Sequence, residues 1–167
     1  MEQHSADREA LKVLQALFET AVEKNDMESF SSHISKDFSI VSFTDRVFPS
    51  YAAYCEQWKK TRLEMVGPGT FKTALNPNLT QFYGDTAVAH GCSANHLQDR
   101  KGKQFEFTSN WTVIFRKEDE QWKVVRAHSS LDPFNNPMAK HAVKKILFGA
   151  VIAAGGVGVL LGWLLAS

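Results

Sequence analysis

Apolar residues recur at helical spacing in the first part of the chain. Residues three and four apart share a helix face, and Leu11, Leu14 and Phe18 fit this spacing. The last of these patterns stops at the Gly-Pro-Gly sequence that begins at position 67, because glycine and proline interrupt helices. The spacing predicts helices over three segments: 6–25, 27–35 and 51–66.

Strand-like patterns dominate the second part of the chain. A first strand is predicted over 37–43, where β-branched and aromatic residues are frequent, and a short extended piece follows it. Polar segments rich in Gly, Asp and Lys separate the later runs, as in hairpin turns. These later strand-like runs cover residues 70–85, 86–98, 103–117 and 121–132. The pattern predicts an α+β domain in which N-terminal helices pack on a strongly curved, mostly antiparallel sheet.

Both faces of the predicted sheet carry apolar residues. Strict alternation places Trp122, Val124, Arg126, His128 and Ser130 on one face of the last strand, opposite Val125, Ala127 and Leu131. In the preceding strand, Trp111 and Ile114 likewise fall on opposite faces. Since helices can cover one face alone, we expect a partner on the other face and predict a homodimer.

The end of the chain has the pattern of a membrane anchor. Residues 146–166 contain no charged side chain, and as a helix they would span about 32 Å at ~1.5 Å per residue, against a hydrocarbon core of ~30 Å. Lys144 and Lys145 precede this span, so the positive-inside rule predicts a cytoplasmic N-terminal domain. Small residues recur every fourth position from Ala150 to Gly162, which is typical of helix pairing and also of membrane helices in general.

The predicted organisation is therefore a domain over 1–132, a linker with a basic flank over 133–145, and a single-pass tail anchor over 146–166. The 19 Lys and Arg residues nearly balance the 18 Asp and Glu residues. This balance argues against a nucleic-acid binder, which would carry a basic excess. We expect the membrane as a partner, through the anchor, and no nucleic acid.

The cysteines and histidines give only weak evidence for a disulfide scaffold or a metal site. Cys55 and Cys92 are too few for a disulfide scaffold. His90, Cys92 and His96 alternate on one face of a predicted strand, and His-x-Cys is a possible metal pair. No second pair accompanies them, so we predict neither a metal nor another cofactor.

The order of elements and the stretch "SNWTVIFRKEDEQWKVVRAHSS" resemble the SnoaL-like branch of the nuclear transport factor 2-like superfamily. The recurring signature is a hydrophobic strand, a charged turn, Trp-Lys, two hydrophobic residues and a His-x-Ser ending. The resemblance implies a cone-shaped fold with a pocket between the long first helix and the concave face of the sheet. This fold hosts isomerases, dehydratases, cyclases, ligand binders and dimerisation modules, so it does not specify a function.

The same resemblance suggests which chemistry to look for. Ketosteroid isomerases use a tyrosine in the first helix and an aspartate base on the first strand; the matching positions here are Phe18 and Ser42. Phenylalanine has no hydroxyl, and serine is not basic enough to take a proton from carbon. Asp45 would supply a base only if the register were shifted. Isomerase chemistry is therefore not expected, and the prediction leans towards a protein that is not an enzyme.

Six polar or aromatic residues remain as candidates for a site. His128 and Ser130 are the candidate catalytic residues, with a structural role for the histidine as the alternative. The candidate ligand-binding residues are Tyr54, Trp58, Arg126 and Asn110. Tyr54 and Trp58 are also spaced as core residues of one helix, and Asn110 faces the pocket only if a bulge intervenes.

Two functions follow from these patterns. The first is a membrane-tethered, dimeric SnoaL-like module that binds a small hydrophobic ligand or another protein. The alternative is a SnoaL-like enzyme of the isomerase, dehydratase or cyclase type that acts on a hydrophobic substrate, with His128 as the acid–base residue.

Overall fold

The computed structural model describes residues 4–132 together with Asn136 and Lys140. The chain divides into two compact units, Met1–Leu131 and Asp132–Ser167, and every element described below belongs to the first. The predicted membrane helix over 146–166 lies outside the described residues, as does most of the predicted linker. Among the residues that are described, no helix is both long and apolar enough to cross a membrane.

Three helical segments lie where the apolar spacing predicts them. Helix α1 spans Ser5–Lys24 and ends at Asn25, whose left-handed backbone (φ 55°) closes the last turn. The second segment is a 3-10 helix, Met27–His33. Helix α2 spans Tyr51–Thr61, after which the backbone continues with π-helical geometry over Arg62–Val66.

One six-stranded sheet forms the rest of the first unit. Its strands are β1 Ile34–Val41, β2 Val47–Phe48, β3 Phe71–Tyr83, β4 Thr86–Gln98, β5 Gln104–Glu118 and β6 Gln121–Leu131. They lie in the order β2-β1-β6-β5-β4-β3. Strand β1 pairs with β6 in parallel and every other neighbouring pair is antiparallel, so the sheet is mixed. The predicted α+β class is confirmed.

A bulge in β6 corrects the predicted alternation of that strand. Ile114 of β5 lies opposite Arg126, whereas the next residue, Phe115, lies opposite Val124, so Val125 is an extra residue. An extra residue reverses which side chains face which side from that point on. Arg126 and Ser130 therefore leave the face that carries Trp122, and Ala127 and Ser129 take their place.

Side chains of α1 hold this helix against the free edge of β3. Gln15 donates a 2.7 Å hydrogen bond to the Leu75 carbonyl, and Glu19 accepts a 2.7 Å hydrogen bond from the Leu75 amide. Backbone groups at a sheet edge otherwise remain open to unwanted pairing. The two contacts satisfy the outward backbone groups of Leu75 and hold α1 against β3 at this point.

Candidate functional site: an aromatic cavity

A cavity of about 370 Å³ lies between the helices and one face of the sheet. We call this side of the sheet the cavity face and the opposite side the outer face. Helix α1 contributes Leu11, Leu14, Phe18 and Val22, whose spacing of three and four places them on one side of the helix. The sequence pattern of α1 therefore predicts the side of the helix that lines the cavity.

The wall near α2 is a series of aromatic rings. The ring of Tyr54 lies 6.4 Å from that of Trp58, and Trp58 lies 5.7 Å from Phe71. Phe71 in turn stacks on Phe107 of β5 with 6.4 Å between ring centres. Such contacts add to the apolar burial that each ring supplies. The series links α2 to the sheet and gives the cavity a rigid, apolar wall.

Three polar side chains, Ser93, Asn95 and Ser109, form a buried cluster on the cavity face. The two serine hydroxyls are 2.6 Å apart, and the Asn95 amide nitrogen lies 3.2 Å from each of them. The same nitrogen also donates to the carbonyl of Phe107 at 3.3 Å. These side chains are less than 8% exposed, and such burial is tolerated because they satisfy one another.

The two tyrosine hydroxyls of α2 differ in their hydrogen bonding. The Tyr51 hydroxyl donates a 2.5 Å hydrogen bond to the Met27 carbonyl. The Tyr54 hydroxyl has no hydrogen-bond partner within the described part of the chain. Burial is the main cause that raises the pKa of both phenols well above the ordinary value, so both remain protonated near neutral pH.

Trp111 of β5 lies opposite Gly91 of β4. A β-carbon at Gly91 would stand 2.7 Å from Cζ2 of Trp111 and 2.2 Å from the Asn76 carbonyl oxygen. Glycine therefore leaves room for the indole to lie close against β4. The indole nitrogen of Trp111 is sealed among its neighbours without a hydrogen-bond partner, so it is not on the open surface of the cavity.

The charged residues of the lining lie at its exposed edge. Arg8 and Lys12 of α1 touch the cavity, and both are exposed. The Arg8 guanidinium lies 5.1 Å from the centre of the Phe82 ring, and Lys12 pairs with Glu9 at 3.2 Å. No aspartate or glutamate is among the described residues that line the cavity. The deep part of the site is therefore uncharged.

Three of the predicted site residues reach the cavity and three do not. Tyr54 and Trp58 line it from α2, and His128 touches it from an exposed position near the end of β6. Arg126 is exposed and donates hydrogen bonds to the Asp37 and Val125 carbonyls. The other two predicted residues outside the lining are Ser130 and Asn110, which pair with each other across β5 and β6.

Both positions that match the isomerase residues lie on the cavity. Phe18 packs edge-on against Phe30, with 5.6 Å between ring centres. Ser42 is buried, and its hydroxyl is 2.8 Å from that of Thr44. Neither side chain supplies the acid or base that isomerisation needs.

His90, Cys92 and His96 lie on the outer face of β4, because the buried residues that alternate with them face the cavity. His96 pairs with Glu106 at 3.3 Å. The structure brings no three His, Cys, Asp or Glu side chains together as metal ligands in the part of the chain that it describes.

The sequence reasoning missed the cluster of Ser93, Asn95 and Ser109. A signal was present in the alternation of β4, where Ser93 and Asn95 share the parity of the apolar Ala89 and Leu97. Polar residues at core positions of a strand indicate either a buried hydrogen-bond network or a site.

The fold and this cavity define a class of protein: an α+β domain with an apolar cavity between its helices and its sheet. Comparison with known proteins identifies the family. A sequence profile of the SnoaL-like domain matches residues 11–133. The chain therefore belongs to the SnoaL-like domain family. No curated protein matches the chain.

Solved structures share the fold at low sequence identity. An NTF2-like protein with a cystatin-like fold from Novosphingobium aromaticivorans is 22% identical with a TM-score of 0.66, covering 75% of this chain and 82% of that one. A proposed dehydratase of the NTF2-like family from Streptomyces avermitilis is 18% identical with a TM-score of 0.65, covering 76% and 96%. A proposed calcium/calmodulin-dependent protein kinase II association domain from Xanthomonas campestris is 18% identical with a TM-score of 0.61, covering 80% and 90%. The resemblance establishes the NTF2-like cone fold.

Proposed function

We propose that this SnoaL-like domain binds a small apolar molecule in its cavity. The observation that carries the proposal is the cavity itself, which is walled by aromatic rings and has an uncharged interior. Apolar pockets with a few polar groups are the usual form of small-molecule sites. Buried carboxylates, which would serve as general acids or bases, are absent from the described lining.

The enzymatic alternative has one observation in its favour, which is that His128 touches the cavity. Against it, the bulge at Val125 shifts β6 so that Ala127 and Ser129 occupy the cavity face on either side of His128. His128 is also exposed to solvent and is not enclosed by the other residues of the lining. Ligand binding is therefore the better supported function.

A pair of matched substitutions on β4 tests the proposal. Ala89→Leu places a larger side chain in the cavity, whereas Ala94→Leu adds the same atoms on the outer face. The full chain is held in lipid nanodiscs. We measure how far an apolar naphthalene derivative raises its thermal unfolding midpoint. The Ala89→Leu variant should bind the ligand about tenfold more weakly. Its larger side chain fills space in which the ligand would otherwise gain about 1–2 kcal/mol of apolar contact. Equal binding by both variants would place the ligand elsewhere.

We also propose that the domain is tethered to a membrane by residues 146–166, with the domain on the cytoplasmic side. The uncharged span and the lysines before it support this arrangement. Deleting 146–166 should move the protein from the membrane fraction to the supernatant. Protein that still sediments with membranes after high-salt washing would rule out the anchor.

The third element of the proposal is a homodimer through the outer face. Val88, Ala94 and Ile114 are apolar side chains on this face, and each is partly exposed. Ile114→Arg places a charge among them, so it should shift the protein from dimer to monomer in analytical ultracentrifugation. A wild-type chain that sediments as a monomer would remove the dimer from the proposal.

A further inference from the structure

We propose that the ligand carries an uncharged oxygen atom that accepts a hydrogen bond from the Tyr54 hydroxyl. This inference rests on the proposed function, since it concerns a molecule bound in the same cavity. It names the class of ligand more closely: an apolar molecule with a carbonyl, ester or ether oxygen, rather than a pure hydrocarbon or an anion.

The hydroxyl of Tyr54 differs from the sealed polar atoms of the protein. Tyr54 lines the cavity and is only partly exposed, and burial raises the pKa of its phenol. Three side-chain atoms of the described residues are sealed from solvent without a partner: Nε and Nη1 of Arg62 and Nε1 of Trp111. The Tyr54 oxygen is not among them although it has no partner. Since Tyr54 lines the cavity and its oxygen is not sealed, we place this oxygen on the cavity surface.

The neighbours of Tyr54 leave its hydroxyl available. Its ring packs against Phe48 and Trp58, with 5.7 Å and 6.4 Å between ring centres, so the ring is held by apolar contacts. Tyr51, one turn earlier on the same side of α2, already uses the nearby Met27 carbonyl. The hydroxyl has no partner among the described residues, so a ligand acceptor would supply the hydrogen bond that the protein does not.

The charge of the site selects the kind of acceptor. The phenol keeps its proton near neutral pH, so it donates. The cations of the lining, Arg8 and Lys12, belong to α1 and are exposed to solvent, whereas Tyr54 belongs to α2 and is only partly exposed. An anion next to Tyr54 would be buried without a counter-charge, which is strongly unfavourable. An uncharged oxygen avoids this penalty and still accepts the hydrogen bond.

Two ligands of the same shape separate this contact from general apolar binding. In 2-acetylnaphthalene a carbonyl oxygen replaces the methylene group of 2-isopropenylnaphthalene. Dissociation constants are measured by quenching of tryptophan fluorescence, since Trp58 and Trp111 line the cavity. The full chain is held in nanodiscs of one lipid composition, so partitioning into lipid cancels when variants are compared.

Tyr54→Phe removes the hydroxyl and keeps the ring, and Tyr51→Phe is the matched control on the same helix. We expect Tyr54→Phe to weaken the ketone about tenfold and to leave the hydrocarbon unchanged. Tyr51→Phe should not discriminate between the two ligands. If Tyr54→Phe changes neither ligand, or both equally, the assignment of Tyr54 is overturned while binding in the cavity stands. If neither ligand binds the wild type, the proposed function is overturned as well.

Discussion

The indole nitrogen of Trp122 donates a 2.9 Å hydrogen bond to the Asp7 carboxylate, across 115 positions of the chain. The Lys117 ammonium lies 3.0 Å from the same carboxylate oxygen. Asp7 is in the first turn of α1, and both partners are on the sheet. One carboxylate therefore fixes the start of α1 to β5 and β6, the strands that form the floor of the cavity beneath this helix.

This contact makes stability depend on pH. The hydrogen bond from Trp122, followed by that from Lys117, lowers the pKa of Asp7 from 3.8 to about 2. A lowered folded-state pKa stabilises the protein above pH 4, and the contribution is lost as pH falls from about 4 to about 2. Asp7→Asn should therefore be less stable by about 1 kcal/mol at pH 6, once partial exposure is allowed for, and equal to wild type near pH 2.

Urea unfolding at a series of pH values between 2 and 6 measures this difference. Glu9→Gln removes an exposed carboxylate from the same helix and serves as the control. A difference between Asp7→Asn and wild type that stays constant over the whole range would show that the carboxylate charge is not responsible.

The two tyrosines of α2 predict stability effects of different size. Tyr51→Phe removes a hydroxyl that is bonded to the Met27 carbonyl and leaves that carbonyl without this partner, so it should lower the free energy of unfolding by about 1–2 kcal/mol. Tyr54→Phe removes an unpartnered hydroxyl, so it should change the free energy by less than about 0.5 kcal/mol. Urea unfolding without ligand measures both. Equal losses would mean that the Tyr54 hydroxyl has a partner in the unliganded protein.

The buried cluster predicts coupling between its serines. Ser109→Ala removes a partner of both Ser93 and Asn95 and should lower the free energy of unfolding by about 1–2 kcal/mol. The double variant with Ser93→Ala should lose less than the sum of the single variants, because removing both hydroxyls leaves fewer unsatisfied groups. Strict additivity in the urea-unfolding energies of the three variants would argue against a direct bond.

Periodic patterns predicted the elements of this fold well. The spacing of Leu11, Leu14 and Phe18 predicted α1, and the polar breaks predicted the hairpins between β3 and β6. These patterns repeat over many residues, so one exception does not hide them.

Positions within the site were harder to predict. The parity of β6 changes at Val125, where nothing in the local sequence marks an extra residue. One bulge was enough to move Arg126 and Ser130 off the cavity face. The buried cluster of Ser93 and Ser109 depends on pairing between β4 and β5, which alternation within either strand does not specify.

Gly91 is the position where the sheet tolerates no side chain. A β-carbon there would meet the Asn76 carbonyl oxygen at 2.2 Å and Cα of Pro77 at 2.8 Å, both of which are backbone atoms of β3. Gly91→Ala should therefore lower the free energy of unfolding by about 1–3 kcal/mol, since the backbone must move to admit the methyl group. The shift should also displace the Trp111 indole and weaken ligand binding. Urea unfolding and the tryptophan-quenching titration measure the two effects.

Gly84 provides the contrasting position for this experiment. It has a positive φ of 58° and open space around the missing β-carbon. Asparagine adopts this conformation more readily than most residues, so Gly84→Asn should change stability by less than about 1 kcal/mol and leave ligand binding unaffected. If Gly91→Ala were as mild as Gly84→Asn, β3 would have to yield at Asn76 and Pro77. The absence of a side chain at Gly91 would then not be what allows Trp111 to lie close against β4.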